Sequence, residues 1–299
     1  MNGYKKIIKS QKLRMAILNL LRFVPDKTMI SIQYRIKMGR KLNLKNPERY
    51  TEKLQAYKLY HRDSLMTKCA DKYRVREFIE EKGLGEILCK LYGVYDKAED
   101  IDYDNLPDRF VMKTTNGSGT NIICKDKSKL DREDTNVKLN GWLKRDCYGL
   151  GREWAYKDIE PKIVVEEFLE DENSKFEGIN DYKFLCFGGK AEYIVFDVDR
   201  FVGHKRNIYD TKWNNLHIGT DCDVIDREVE KPEGLEQMLE VANVLAKDFP
   251  CVRVDLYWVN GKIYCGELTF YPWTGYVQFD PDEFDFEMGK KFVLFERKN

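Results

Sequence analysis

Apolar and polar residues alternate in two runs of the chain, at residues 251–259 and 262–269, and Asn260-Gly261 separates the runs. Alternation predicts β-strands, and Asn-Gly between two such runs is a strong signal for a tight turn. The pattern therefore predicts a β-hairpin. Its interior charged side chains are few: Arg253 and Asp255 on the first strand and Glu267 on the second, with the hydroxyl of Thr269 beyond it.

The register of this hairpin decides whether these side chains share one face. A strict two-residue turn sends Glu267 to the face opposite Asp255, because successive side chains alternate. A three-residue loop with Gly261 as a bulge pairs Arg253 with Glu267 and keeps Asp255 on the same surface. We predict the bulged loop, since it gathers a cation and two carboxylates as a site for Mg2+ and phosphate. The alternative is an ordinary Arg-Glu pair beside a solvated Asp255.

A second segment of chemical interest follows the strand predicted at 110–113. That strand ends on Lys113, and a loop of glycines and small polar side chains comes next: Asn116, Gly117, Ser118, Gly119 and Thr120. Backbone N–H groups and hydroxyls of such a loop can bind phosphate. The loop lacks the GxxxxGK[ST] spacing of a Walker loop, the third glycine of GxGxxG and the first glycine of GxSxG. A plain turn between two strands is the alternative.

Residues 162–169 form an apolar run that acidic residues interrupt near its end. The run reads KIVVEEFL, and its last four residues are Glu166, Glu167, Phe168 and Leu169. A polar pair at the end of a buried strand suits a hinge whose backbone and one carboxylate bind the edge of a purine. An edge strand with solvated glutamates is the alternative. Two further strands are predicted within 181–198, and Lys183 shares a face with Asp181 on the first of them.

Helical periodicity occurs near both ends of the chain and in its middle. It predicts helices at 4–24, at 72–82, through much of 136–156 and at 235–249, and one more strand at 87–94. The first helix is basic, and residues 1–62 hold 16 Lys or Arg against 3 acidic residues although the whole chain has zero net charge. This asymmetry suggests an anionic partner. We expect the first helix to lie at the cytoplasmic face of a membrane or to pack on its own protein.

Composition narrows the class of protein further. Of the 299 residues, 42% are hydrophobic and 34% are charged, which is enough for two or more subdomains. We expect no signal peptide, and no apolar run reaches the ~18 residues that a membrane span needs. The eight cysteines lack metal-binding spacing and predict a reduced, cytoplasmic protein. No recognised nucleic-acid module accompanies the basic charge, so no nucleic-acid partner is expected.

Taken in order, these motifs resemble the ATP-grasp superfamily from about residue 68 to 285. The closer resemblance is to the TupA-like ATP-grasp family, linked to teichuronopeptide and cell-surface polysaccharide assembly. The segments that carry it are LMTKCADKYRVREFI, KTTNGSGTNII, DYKFLCFGGK and VRVDLY followed by GELTFYP. The resemblance implies an α+β fold in which two lobes clamp ATP. It implies a basic helical region at 1–67, a lobe with the glycine-rich loop at 68–165 and a lobe with the hairpin at 166–299.

The resemblance also assigns nucleotide-binding roles to single residues. Lys72 and Lys113 match lysines that contact the nucleotide phosphates, and residues 116–120 match the loop that covers them. The hinge residues Glu166 to Leu169 match the adenine site. Asp181, with Lys183 beside it, matches a position where an acidic residue often meets the ribose.

A second set of matches concerns the metal and the transferred phosphoryl group. Asp255 and Glu267 match Mg2+ ligands, and Arg253 matches the cation that stabilises the transition state. Thr269 stands where an asparagine usually provides a further metal ligand. Asn116 stands where close relatives are expected to have histidine, so no proton-transfer role carries over to it.

The reaction implied by the resemblance is ATP-dependent ligation through an acyl phosphate. The γ-phosphoryl group passes to a carboxylate, and an amine then displaces phosphate to form an amide. The implied partners are an amino acid and an anionic polysaccharide or lipid-linked sugar precursor that contains uronic acid or amino sugar. Basic residues of one loop could hold this acceptor or simply be solvated, and three aromatic residues could stack on sugars or pack in the core. These two sets are Arg200, His204, Lys205 and Arg206, and Phe270, Tyr271 and Trp273.

Other functions remain open from the sequence. A nucleotide-sugar glycosyltransferase would use the D-x-D triplets at 197–199 and 221–223 for a metal and a sugar diphosphate. An ATP-grasp kinase would phosphorylate a hydroxyl and stop there. A scaffold would keep a degenerate nucleotide site, and the departure at Thr269 is the feature that favours it.

Overall fold

The computed structural model describes residues 18, 20–171, 174–199 and 202–294. Its helices are α1 (Asp26–Met38), α2 (Tyr50–Tyr60), α3 (Ser64–Ala70), α4 (Val75–Glu81), α5 (Arg132–Leu143), α6 (Cys147–Gly151), α7 (Leu235–Ala246) and α8 (Glu283–Lys291). Its strands are β1 (Leu91–Tyr95), β2 (Phe110–Thr114), β3 (Asn121–Cys124), β4 (Ile163–Glu167), β5 (Asp181–Phe187), β6 (Lys190–Val198), β7 (Lys205–Asp210), β8 (Cys251–Val259) and β9 (Lys262–Thr269). The predicted helix at 4–24 falls mostly outside the described residues.

These strands form two antiparallel sheets. The first has the order β1-β4-β2-β3 and the second the order β7-β6-β5-β8-β9. The chain passes from the first sheet to the second between Glu167 and Asp181. Strand β4 pairs on both sides, with β1 and with β2, so the alternative of an edge strand at 162–169 is wrong.

A helix packs on each sheet. In the first sheet, Leu139 of α5 joins Phe110, Met112 and Val165 in one buried cluster. Helix α7 packs across β5, β6 and β8, and its Leu235, Met238, Ala242 and Leu245 are completely buried. These four residues recur at the spacing of one helical face, and burying each large side chain contributes about 1.5–3 kcal/mol.

The helices before the first sheet belong to the core of the second sheet. Tyr50 and Tyr57 of α2 pack edge-on against Phe187 of β5 and against Phe292, respectively. The buried carboxylate of Asp285 on α8 accepts hydrogen bonds from the Thr51 backbone N–H at 2.9 Å and from the Thr51 hydroxyl at 2.8 Å. Residues 50–60 and 283–292 therefore form one packed unit with β5.

Two predicted elements begin later than the periodicity suggested. Helix α4 starts at Val75, not at Lys72, because the Asp71 carboxylate accepts the backbone N–H groups of Tyr73 at 2.8 Å and Arg74 at 3.1 Å. These bonds hold residues 71–74 in a turn ahead of the helix. Strand β1 starts at Leu91 because a short 3-10 turn occupies residues 85–87. In the part of the chain that is described, no helix is long and apolar enough to span a membrane.

Candidate active site between the two sheets

The β8–β9 hairpin places its charged residues on one face as predicted, but the extra residue that makes this possible lies within β9 and not in the turn. The turn has two residues, Asn260 and Gly261, with φ of 50° and 78°, so the predicted three-residue loop is wrong. The register instead shifts inside β9, where Leu256 pairs with Cys265 and Asp255 pairs with Glu267. Gly266 is the extra residue. Arg253 consequently lies opposite Thr269, not opposite Glu267 as predicted.

The four side chains of this hairpin form one hydrogen-bonded group. Arg253 donates from Nε and Nη2 to the two carboxylate oxygens of Asp255, both at 2.6 Å. Its Nη2 also lies 3.2 Å from Glu267 and 3.1 Å from the Thr269 hydroxyl. Asp255 is buried, so the alternative of a solvated Asp255 is wrong. Burial raises the pKa of Asp255 to about 7, although Arg253 and Lys183 act to lower it.

Two lysines face this hairpin from the other side of a narrow cleft. The Lys72 ammonium lies 3.9 Å from the Glu267 carboxylate and donates to the carbonyl of Gly117 in the glycine-rich loop. Burial lowers the pKa of Lys72, and Glu267 opposes that effect. Lys113 donates to Glu166 at 2.8 Å. Burial disfavours the charged form of Lys113, but Glu166 outweighs it and raises the lysine pKa.

The cleft has apolar walls as well as these charges. Val75 and Ile79 of α4, Leu88, Cys89 and Cys265 line it together with Lys72, Lys113 and Glu166. Arg76, for which the sequence predicted no role, lies 3.7 Å from the carboxylate of Glu166. The sequence feature that could have indicated Arg76 is its position beside the apolar residues of α4, the helix that follows Lys72. The cleft has only about 10 Å³ of free space, so a nucleotide would enter it only after the two sheets move apart. Its apolar walls and its ammonium and guanidinium groups are the chemistry that a nucleotide site needs.

The glycine-rich loop connects β2 and β3 at one end of the first sheet. Its Asn116 donates from Nδ2 to the Arg145 carbonyl at 3.3 Å, while its Oδ1 and the hydroxyl of Thr120 are buried without a hydrogen-bond partner in the described structure. Gly119 has φ of 67°. A Cβ on Gly117 would lie 2.7 Å from the Cys147 sulfur, so α6 supports the loop closely from below. The Thr120 hydroxyl can donate to an anionic ligand such as phosphate, whereas the Asn116 Oδ1 can only accept a hydrogen bond.

The predicted hinge lies at the opposite end of β4. Glu167 accepts the Lys90 backbone N–H at 3.4 Å, and the Arg109 guanidinium stands 4.4 Å from the Phe168 ring centroid. Asn260, at the tip of the hairpin, donates to the carbonyl of Glu170 at 3.1 Å. Phe168 and Leu169 are half-buried. The structure therefore brings the hinge next to the hairpin turn, and the adenine role of residues 166–169 stays a prediction.

A row of buried charges continues from the hairpin across the second sheet. Lys183 pairs with Asp255 in the strand register, and its ammonium contacts Asp181, lies 3.4 Å from Asp197 and 3.8 Å from Asp255. Asp197 in turn accepts from Arg206. Burial opposes ionisation of Asp197, but His204, Lys183 and Arg206 hold its pKa well below the usual range. An aspartate inside an apolar strand was the sequence signal for Asp197, as it was for Asp255.

The donor set of the hairpin fits a magnesium ion only if the ligand supplies part of the coordination. Among the described residues, no group of three or more His, Cys, Asp or Glu side chains is arranged to hold a metal ion. Asp255 and Glu267 lie directly opposite each other on one face, and Thr269 adds a hydroxyl 3.3 Å from Glu267. Mg2+ usually takes one or two carboxylates together with phosphate oxygens and water. The site matches that pattern.

Several other sequence expectations resolve into packing or ion pairs. Phe270 and Tyr271 are buried, against Phe249 and Tyr57 respectively, so they belong to the core and do not stack on sugars. Arg206 is also buried and ion-paired, so it is not a solvated loop residue. Arg200 lies outside the described residues. In the D-x-D triplet at 197–199, Asp197 pairs with Lys183 and Arg206, and Asp199 accepts the backbone N–H of Glu177 at 2.8 Å.

A cleft of this kind, closed between two antiparallel sheets of one chain, is the arrangement of the ATP-grasp class. The family model described as TupA-like ATP-grasp matches residues 52–293. The chain therefore belongs to the TupA-like ATP-grasp family, which confirms the family and the fold class predicted from the sequence. No curated protein sequence matches the chain.

Solved structures with a similar course of the chain include several ligases. D-alanine–D-alanine ligase from Bacillus anthracis has 17% identity and a TM-score of 0.42, over 68% of this chain and 57% of that chain. The corresponding ligase from Helicobacter pylori has 18% identity and a TM-score of 0.42, over 76% and 61%. Phosphoribosylamine–glycine ligase from Thermotoga maritima has 14% identity and a TM-score of 0.39, over 69% and 48%. The chain spans about half to three fifths of the length of these proteins.

Proposed function

We propose that this protein is an Mg-ATP-dependent carboxylate–amine ligase. The observation that carries the proposal is the pairing of Asp255 with Glu267 on one face, with Arg253 bonded to both and Lys72 opposite them. Two carboxylates beside these two basic groups suit a metal-bound triphosphate. The apolar walls at Val75 and Ile79 suit a nucleobase.

In this proposal each residue of the cleft has one task. Lys72 and Lys113 hold the phosphates, and the loop 116–120 closes over them and excludes water, which would otherwise hydrolyse an acyl phosphate. Asp255 and Glu267, assisted by the Thr269 hydroxyl, would hold Mg2+. The bound metal supplies charge neutralisation on the phosphate oxygens.

Arg253 has the task of stabilising the phosphoryl group during transfer. Its guanidinium is fixed by two contacts at Asp255, so it is oriented before substrate binds. The γ-phosphoryl group passes to a carboxylate oxygen with release of ADP. An amine then attacks the acyl carbon, phosphate leaves, and an amide forms. Positioning and charge account for most of the rate enhancement in such transfers.

We further propose that one partner is an amino acid and the other an anionic polysaccharide or lipid-linked sugar precursor of the cell surface. The resemblance to a family linked to teichuronopeptide assembly supports this choice. Contact of residues 4–24 with the inner face of a membrane stays a prediction. Most of that segment lies outside the described residues.

The first test is the melting temperature of the purified chain with Mg-ATP, Mg-ADP and Mg-sugar nucleotides. Binding to the native state stabilises it by about 2.7 kcal/mol at one hundred times Kd. We expect a rise with Mg-ATP that is lost in Asp255→Asn and in Glu267→Gln. Glu240→Gln, the same chemical change on the exposed side of α7, is the matched control and should keep the rise. A rise with sugar nucleotides alone would favour the glycosyltransferase function instead.

A second test identifies the reaction and the carboxylate donor. Either the amino acid or the uronic acid is supplied with 18O in its carboxylate, and the released phosphate is examined by mass spectrometry. A ligase transfers one labelled oxygen from the activated carboxylate to phosphate, so the partner that labels phosphate is the carboxylate donor. A kinase would release ADP without free phosphate. Unlabelled phosphate from both partners would contradict the acyl-phosphate route.

A further inference from the structure

The row of buried charges on the second sheet extends well beyond the candidate nucleotide cleft. It runs from Asp255 on β8 through Lys183 on β5 and Asp197 on β6 to Arg206 on β7. Neighbouring strands are about 4.8 Å apart, so Arg206 lies about 14 Å from Asp255 along the sheet. Burying a charge costs free energy even when the charge is paired. Arg206 is too far from Asp255 to contact the proposed metal or the nucleotide phosphates, so another ligand could account for its burial.

Arg206 is anchored on its inner side and presents its outer side to solvent-exposed groups. Its Nε donates to Asp197 at 2.6 Å and its Nη2 lies 3.3 Å from the other Asp197 oxygen. Its Nη1 donates to Asp221 at 2.9 Å, and the Asp221 side chain is 67% exposed. An arginine fixed from behind in this way offers an oriented donor that matches a carboxylate.

The side chains of the acidic residues on the outer side, Asp221 and Asp226, are mostly exposed to solvent and are held only weakly by their ion pairs. Next to Arg206, Lys205 pairs at 2.9 Å with Asp226, whose side chain is 75% exposed. Exposed ion pairs of this kind contribute only about 0–1 kcal/mol. The backbone of the segment is fixed separately, because the Arg206 N–H donates to the Asp223 carbonyl at 2.8 Å. An incoming carboxylate can therefore displace the Asp221 side chain without unfolding the segment.

An aromatic ring stands beside the same guanidinium. The Arg206 guanidinium carbon lies 5.4 Å from the ring centroid of Trp273, which is half-buried and edge-on to Phe279. Trp273 and Thr274 both have left-handed backbones, with φ of 52° and 55°. Each such residue costs about 1–3 kcal/mol and is held by its surroundings. The strained backbone fixes a flat apolar ring next to a carboxylate-binding group.

We propose that Arg206 and Trp273 form a subsite for an acidic sugar residue of the acceptor, with the Asp221 carboxylate occupying the position of the sugar carboxylate until the acceptor binds. This inference rests on the proposed ligase function and names the acceptor class for the same site. One extended amino-acid residue spans at most about 3.6 Å, so a free amino acid cannot reach from Arg206 to Asp255. A free amino acid bound at Asp255 would leave the subsite at Arg206 empty, and the extended acceptor is the partner that would reach it.

Binding measured by calorimetry tests this subsite separately from catalysis. The probe is an oligomer of glucuronic acid, and its carboxyl-reduced counterpart is the neutral control, each titrated in the presence of Mg2+ and a non-hydrolysable ATP analogue. Asp221→Asn removes the competing carboxylate, and we expect it to tighten binding of the acidic oligomer about two- to fivefold. Glu228→Gln makes the same charge change at an exposed position of the same segment and should have no such effect.

Variants of Arg206 should weaken binding of the acidic oligomer, whereas Asp221→Asn should strengthen it. Arg206→Gln should weaken the acidic oligomer at least tenfold and leave the neutral oligomer unchanged. Arg206→Gln also removes one partner of Asp197, so Arg206→Lys is the second variant. The lysine keeps the positive charge but lacks the paired N–H donors of the guanidinium, and it should weaken binding by a smaller factor. Trp273→Ala should weaken both oligomers.

Three results would overturn the inference. These are wild-type protein that does not bind the acidic oligomer, an Asp221→Asn variant that binds it no better, and an Arg206 effect equal for both oligomers. The melting temperature with Mg-ATP is recorded for every variant. A retained Mg-ATP shift with any of these results refutes the subsite alone, whereas loss of the shift in wild type refutes the proposed function itself.

Discussion

Arg253 holds the carboxylate of Asp255 through two hydrogen bonds of 2.6 Å, one to each oxygen. The same guanidinium reaches Glu267 at 3.2 Å, so one cation balances both of the proposed metal ligands. A divalent ion bound by Asp255 and Glu267 would take over this role, and the guanidinium would become available to the phosphoryl group. If the proposed function holds, Arg253 contributes to the stability of the free protein and to catalysis, and the two contributions can be measured separately.

The first prediction concerns Arg253→Met. Removing one partner of a buried ion pair typically costs about 3–5 kcal/mol, so the free protein should melt at a lower temperature. Mg-ATP should restore much of this loss because the metal replaces the missing charge. ADP release should nevertheless fall about 100- to 1000-fold in kcat. Calorimetry and a coupled ADP assay measure both effects. A change confined to the KM for ATP would contradict the catalytic role.

The second prediction concerns contact between the glycine-rich loop and α6. In Gly117→Ala the new methyl group would lie 2.7 Å from the Cys147 sulfur, and overpacking of this kind costs about 1–3 kcal/mol. We expect weaker Mg-ATP binding, measured by titration. Adding Cys147→Ala should recover most of the loss, because the sulfur is the atom in the way. If the double variant is no better than Gly117→Ala, the contact does not position the loop.

The third prediction is a pH dependence that arises from Lys58. This buried ammonium donates to the carbonyls of Gly151 at 3.1 Å and Thr274 at 2.7 Å, and burial lowers its pKa from 10.5 to about 7. Between these two values the unfolded chain binds more protons than the folded chain, so this group makes stability rise with pH. Below about pH 7 both states are protonated and the contribution is constant.

Lys58→Met should remove this rise. The unfolding free energy of the variant, measured by denaturant titration at several pH values from 7 upward, should climb less steeply than that of wild type. Lys45→Met, at an exposed position, is the control for the loss of a charge. Parallel curves for wild type and Lys58→Met would show that folding does not lower the pKa of Lys58.

The fourth prediction concerns the link between α2 and α8. Asp285 is buried and accepts the N–H and hydroxyl of Thr51, with Arg49 3.4 Å away. Asp285→Ala leaves these donors without their acceptor and should lower the unfolding free energy by about 3–5 kcal/mol. Asp282→Asn disrupts a more exposed pair with Arg40 and Arg49 and should cost about 1 kcal/mol or less. Equal losses would contradict the distinction between buried and exposed pairs.

The hairpin shows how far sequence reasoning reaches. Asp255 and Glu267 are separated by an odd number of residues, and a regular two-residue turn cannot place such residues opposite each other. One residue must therefore bulge, and this could be predicted from spacing and chemistry. Whether it bulges at Gly261 or at Gly266 could not, because both are glycines. The structure selects Gly266, beside the Tyr257 ring, where an added Cβ would lie 2.8 Å from the Tyr257 hydroxyl.

Long-range pairing marks the limit of that reasoning. The motif order identified the family, and the strand patterns predicted β2 to within one residue and placed β5 and β6 within residues 181–198. Nothing local in the sequence indicates that Glu166 meets both Lys113 and Arg76, or that Arg206 lies beside Trp273. These contacts depend on the order of strands in the sheets and on the return of the chain after β9.

The hydrogen bond from Asn260 to the Glu170 carbonyl joins the tip of the hairpin to the segment that follows β4. It fastens the tip of the hairpin to the only described covalent connection that runs directly from β4 towards β5. The glycine-rich loop lies at the far end of β4, because Phe110 pairs with Glu167 whereas Thr114 pairs with Ile163. The contact at Asn260 and the glycine-rich loop therefore lie at opposite ends of the cleft between the two sheets. If the two sheets separate about this contact, the gap would grow least at residues 166–169 and most at the glycine-rich loop, so we expect ligands to enter and leave on the side of that loop.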